Sequence, residues 1–168
     1  MSTSTPVAPV ETGKVAGRRT LHFETIDQMM AEVDRLVEAE RAGHLKRLGN
    51  WTLGQTLGHL AAWAEFNYTG WPFNPPFFVK WIARLRKQKF LWQPMRAGVK
   101  IPGVKGGTLA TDPMSTDEAL PRFRQVMARL KEEPPTQPHC LFGQLTHKET
   151  IACNLRHAEL HLSFLVPD

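Results

Sequence analysis

Four times along this chain a Ser or Thr stands three positions ahead of a Glu or Gln, each time at the head of a helix-forming stretch: Thr25/Gln28, Thr52/Gln55, Ser115/Glu118 and Thr146/Glu149. This is the arrangement of a capping box, in which the hydroxyl accepts from the backbone N–H three residues on while the Glu or Gln side chain reaches back to the cap. Four such starts predict four helices. The first runs from about Thr25 to Ala42, with Ile26, Met29, Met30, Val33, Leu36 and Val37 on one face and Gly43 as its stop. The second runs from Thr52 to about Tyr68, where Gly70 and Pro72 end it. The third follows Ser115, carries Leu120, Phe123, Val126, Met127 and Leu130, and stops at Pro134-Pro135. The fourth runs from Thr146 to about Leu165. No run of alternating strand sequence competes, so the expected architecture is an all-α four-helix bundle.

A length of 168 residues suits one domain, expected over 21–168. Residues 1–20, rich in Ser, Thr, Pro and Gly, offer too little apolar surface to offset ordering and are expected to form a flexible tail. Between the second and third helices lies a long insertion. Pro75 and Pro76 open a short helix from Val79 to Leu91, followed by the Gly- and Pro-containing stretch Gly98 to Gly107. Connections in bundles are usually short, so this one is expected to act as a lid or flank. It also holds the basic excess: eight Lys or Arg lie between Lys80 and Lys105, no Asp or Glu occurs between Glu65 and Asp112, and the whole chain carries a formal charge of +5. Its aromatics are expected to pack on the bundle while its cations stay in water. The alternative is an anionic-surface binder, for membrane or nucleic acid, working through residues 80–105.

Cys140 and Cys153 are too few for a disulfide framework, no apolar run reaches membrane-spanning length, and Arg18-Arg19 lacks the apolar stretch of an export signal. The expected compartment is a reducing cytoplasm.

The residues that carry chemistry are three histidines. His157 and His161 stand four apart, which puts them on one face of the fourth helix, opposite an arc of Arg156, Glu159 and Ser163 that is expected to meet solvent. His59 lies in the second helix, whose only charged residue is Glu65, and shares its face with Gln55, Ala62, Trp63 and Phe66. Buried imidazoles without partners cost roughly 1 to 3 kcal/mol for each unsatisfied nitrogen, so three in one core call for a common ligand. A divalent metal is the natural one, with positions left for water or substrate. The other reading is three core histidines bonded to carbonyls or to neighbours such as Asn154. The pair is not the metalloprotease signature: the stretch reads His157-Ala158-Glu159-Leu160-His161, and Glu159 on the solvent arc is a poor base for that ion. His139 is read as bracing the turn into Thr146, His147 as exposed, Cys140 as lacking a base other than adjacent His139, and Cys153 as a small hydrophobe on the buried side of the fourth helix.

Three stretches, Asn50 to Leu60, His139 to Thr146 and Arg156 to Leu162, resemble the DinB/YfiT-like metal-binding four-helix bundles, in particular a subfamily known mainly as a domain of unknown function. The resemblance covers most of the chain from Leu21 onward. It implies that His59, His157 and His161 hold a divalent transition metal of the zinc or nickel type. Many relatives carry a further histidine where this chain has Leu160. Some resemble transferases that use a low-molecular-weight thiol, so the implied function is a metal-dependent enzyme activating water or such a thiol for hydrolysis or thiol transfer. The implied partner is a small-molecule substrate, with neither nucleic acid nor membrane expected, and pairing through helix faces suggests a homodimer. The alternative is a non-catalytic metal- or ligand-binding module.

Overall fold

A computed structural model describes residues 9–102 and 104–168. Among these residues six α-helices and one strand pair, with short 3-10 turns at Thr12–Lys14 and Lys105–Gly107, make up the regular structure: α1 (Ile26–Arg41), β1 (Leu45–Arg47), α2 (Leu53–Thr69), α3 (Phe77–Leu85), α4 (Lys87–Trp92), α5 (Thr116–Glu132), α6 (His147–Leu162) and β2 (Leu165–Pro167). The four hydroxyls singled out in the sequence are the N-caps of α1, α2, α5 and α6. Three of the boxes are reciprocal. At α1 the Gln28 side chain accepts instead from the N–H of Glu24, at 2.8 Å, one residue ahead of the cap.

These four helices share one core. Met29, Val33 and Leu36 of α1, Leu53 and Leu57 of α2, Phe123 and Leu130 of α5 and Leu162 of α6 are all fully buried. Each large apolar side chain contributes about 1.5 to 3 kcal/mol on leaving water. The closest approach is of α2 to the residues entering α5. A Cβ on Gly54 would stand 2.3 Å from the Met114 carbonyl oxygen, and one on Gly58 would stand 3.1 Å from the Met114 sulfur. Gly54 therefore lets backbone meet backbone, and Gly58, one turn on, leaves room for the Met114 side chain.

Several expectations are corrected. The chain is mostly helical but not all-α: β1 and β2 pair antiparallel with Leu45 opposite Pro167, Lys46 opposite Val166 and Arg47 opposite Leu165. The last helix accordingly stops at Leu162, because the residues beyond it turn into the ladder. The expected helix from Val79 to Leu91 is two helices, interrupted at Arg86 (φ −104°, ψ 10°). Only Ala83 of α3 is buried, so its aromatics do not pack on the core.

The arc of Arg156, Glu159 and Ser163 is not solvated either. Arg156 and Glu159 are 4% and 5% exposed. Glu159 Oε2 accepts from Arg156 Nε at 2.7 Å and Oε1 accepts from the Phe23 N–H at 2.5 Å, while Arg156 Nη2 donates to the Phe23 carbonyl at 2.5 Å. The segment before α1 covers this arc because its backbone completes the ion pair's hydrogen bonds. Of the stretch expected as a flexible tail, residues 1–8 lie outside the described residues. Residues 9–20 make specific polar contacts: the Val10 N–H donates to Asn50 Oδ1 at 2.8 Å, Arg18 Nη2 donates to Ser163 Oγ at 2.8 Å, and Arg19 pairs with Glu32 at 2.6 Å. Among the described residues no helix is long and apolar enough to cross a membrane.

Candidate metal centre

The Thr52 cap starts α2 so that His59 falls in its second turn, and the Thr146 cap starts α6 so that His157 and His161 fall in its last two turns. The three rings meet. His59 Nε2 lies 3.2 Å from His157 Nε2, and His161 Nε2 lies 3.0 Å from the same atom. One ring nitrogen of each lies within 4.8 Å of the other two, and among the described residues no Asp, Glu or Cys joins the group. His59 is fully buried, while its two partners on α6 are half-buried.

The protons of His59 can be assigned. Its Nδ1 stands 2.8 Å from the carbonyl oxygen of Leu109. A carbonyl only accepts, so Nδ1 carries the hydrogen and Nε2 of the neutral ring presents a lone pair. Burial holds the ring neutral, lowering its pKa to about 4 against the opposing pull of the Leu109 and Ala110 backbone. His157 and His161 are also lowered well below the usual range, first by burial; the charges of His161, His59 and His139 add to the effect on His157, and those of His59 and Arg18 to the effect on His161.

Neutral rings at these distances cannot satisfy one another. The single Nε2 of His157 faces two neighbours, and one nitrogen either donates one hydrogen or accepts through one in-plane lone pair. At most one of the two close contacts is a hydrogen bond. A cation would resolve the conflict, because bonds of about 2.0 to 2.1 Å in tetrahedral array place ligand nitrogens roughly 3.3 Å apart. The two close separations match that edge, and a ring N–H held by a backbone carbonyl is the usual support for a metal-binding histidine.

Tryptophans wall the rings. Trp51 stacks on His161 with centroids 5.0 Å apart and leans on His59 at 4.8 Å. Trp63 lies 4.9 Å from His157 and 5.6 Å from His59, and Trp71 stands behind it at 5.2 Å. The indole N–H groups of Trp63 and Trp71 are buried without an acceptor among the described residues.

The remaining titratable residues of interest lie around this group. His139 is buried between Trp71 and Phe142, and its Nδ1 accepts from the Leu141 N–H at 3.2 Å, so it braces the turn ahead of Thr146. Burial lowers its pKa to about 4. His147, expected to be exposed, is half-buried and meets the Leu130 carbonyl in the last turn of α5 at 2.6 Å. Burial raises the thiols of Cys140 and Cys153 to about 12, which disfavours either as a nucleophile. Glu159 is locked to Arg156 and Phe23 rather than facing water. Trp63 was legible as a neighbour of His59 from its place on the same helical face. The Leu109 carbonyl was not, since a backbone oxygen has no signature in the sequence.

Fold and cluster together define a mostly helical protein with a three-histidine group between its second and last long helices. The chain belongs to the family described as protein of unknown function (DUF1569), which matches residues 15–168. No curated protein and no solved structure matches the chain.

Proposed function

We propose that His59, His157 and His161 hold one divalent transition-metal ion of the zinc or nickel type, in a four-helix bundle of the DinB-like kind, and that the protein uses it to activate water or a low-molecular-weight thiol. One observation carries this reading: three neutral imidazoles crowd their Nε2 atoms together, and His59 is held with its bare nitrogen toward the others by the Leu109 carbonyl. When bound, a divalent ion on three histidines is a Lewis acid that lowers the pKa of a ligated water or thiol.

The chain's own residues supply the rest. The Leu109 carbonyl fixes the tautomer of His59, and the i, i+4 spacing on α6 fixes the separation of the other two ligands. Trp51 and Trp63 shield the rings from bulk water on two sides. The unpaired indole N–H groups of Trp63 and Trp71 are donors that an oxygen of a guest molecule would satisfy. With Glu159 locked in its ion pair, no carboxylate among the described residues joins the three rings as a base, which favours a substrate that brings its own acidic group, as a thiol does.

The test is metal analysis of the purified protein after loading with zinc or nickel, beside a His157→Ala/His161→Ala variant. One equivalent bound by the parent and none by the variant supports the ligand set; equal metal in both removes it. Thiol-transfer assays on the loaded protein then separate an enzyme from a metal-binding module.

A further inference from the structure

The least explained surface of the molecule is α3. Placed on a helix at about 100° per residue, Phe77, Trp81, Leu85, Phe78 and Ile82 fill one continuous arc of roughly 140°. They are 84%, 64%, 68%, 54% and 49% exposed. The opposite side of the helix is the one that meets the protein, where Ala83 joins Leu91, Phe142, Leu145 and Cys153 in a small second core. An amphipathic helix normally buries its apolar arc; this one is mounted with that arc outward.

The charge around the arc is of one sign. Arg84 borders it on the helix itself, and Arg86 and Lys89 follow on the next turns, exposed. Among the described residues none of the three pairs with a carboxylate, whereas Lys87 is engaged by Glu149 at 2.8 Å. Trp92 and Phe90 continue the exposed aromatic surface along α4.

We propose that α3 is a peripheral docking element for an anionic lipid surface, its arc of Phe77, Phe78, Trp81, Ile82 and Leu85 entering the headgroup layer while Arg84, Arg86 and Lys89 meet lipid phosphates. Phe, Trp and Leu beside cations on a short surface helix are the composition of an interfacial helix. The local charge selects among occupants. A two-fold pair of copies sharing this face would set the same unpaired cations against each other. Nucleic acid would pair with the cations but would leave five large apolar side chains against a polar, wet interface. An anionic bilayer accommodates both parts at once. This inference does not depend on the histidine site.

The experiment is co-sedimentation of the full chain, at low salt, with phosphatidylglycerol–phosphatidylcholine vesicles and with vesicles of phosphatidylcholine alone. The parent is expected to pellet with the anionic vesicles, release as salt rises, and stay in the supernatant with the neutral ones. Trp81→Glu is expected to weaken binding by at least about tenfold. Arg84→Gln/Lys89→Gln is expected to weaken it by roughly 30-fold. These side chains are exposed, so circular dichroism and the melting temperature should match the parent; Phe77→Ser serves as a second apolar variant if Trp81→Glu melts early. Failure to pellet with anionic vesicles at low salt would overturn the proposal. So would equal pelleting of parent and both apolar variants, or a dimer in solution that Phe77→Ser dissociates.

Discussion

The buried pair of Arg156 and Glu159 can be tested by removing one partner at a time. Glu159 accepts from the Phe23 N–H and from Arg156, and Arg156 in turn donates to the Phe23 carbonyl, so two charges and two backbone groups close a single network. Glu159→Ala leaves the guanidinium almost fully enclosed with no counter-charge, which costs about 3 to 5 kcal/mol. That is a large share of the 5 to 15 kcal/mol that typically holds a domain folded. In urea, where a chain of this size loses about 2 kcal/mol of stability per molar, the midpoint should fall by roughly 2 M. Arg156→Met/Glu159→Leu removes both charges and leaves only the Phe23 N–H and carbonyl unpaired, at about 1 to 3 kcal/mol each. The double variant should therefore lose clearly less than the sum of Arg156→Met and Glu159→Leu measured singly. Equilibrium unfolding in a double-mutant cycle reads this directly. Strictly additive losses, or a Glu159→Ala penalty below about 1 kcal/mol, would show that water reaches the pair and that the network is not closed.

Further outcomes follow from the same structure. Gly54→Ala gains about 1 kcal/mol of helix propensity but drives a methyl into the Met114 backbone, a cost of about 1 to 3 kcal/mol, so a net loss in melting temperature is expected, whereas Gly58→Ala meets only the movable Met114 side chain and should be nearly neutral. His59 and His139 are held neutral with pKa values of about 4, below the usual 6.5, so in metal-free protein the unfolded chain takes up protons first as pH falls through 6.5. Stability should drop between pH 6.5 and 4, by up to about 1.4 kcal/mol per pH unit for each ring, and be unaffected by these groups above 6.5; a flat urea midpoint from pH 7 to about 4.5 would contradict it. Cys140 and Cys153, raised to about 12, should react with iodoacetamide at pH 8 about three orders of magnitude more slowly than a free thiol, with normal reactivity restored in urea.

The helical frame was legible because it is written locally. A cap and a stop each involve residues within a few positions of one another, and all four caps occur where Thr25, Thr52, Ser115 and Thr146 place them. The convergence of His59 with His157 and His161 was legible for a related reason: the i, i+4 pair and the apolar setting of α2 both point inward. What the sequence hid is non-local. The strands are three residues long and pair across most of the chain, too short for alternation to show. The polar arc of α6 reads as solvated until the residues around Phe23 are seen to cover it, and nothing in Arg156 or Glu159 says which segment will do so. The outward mounting of α3 was missed for the opposite reason, since an apolar helical face is ordinarily evidence of burial.

The imidazole triangle is closed by rings 98 positions apart in the chain. No fragment shorter than residues 59–161 contains the full trio, and a disordered chain would bring them together only at a heavy entropic cost. An ion captured at this point would therefore report that the second and last long helices have docked, and its binding energy would act on the finished tertiary structure rather than on any earlier folding species.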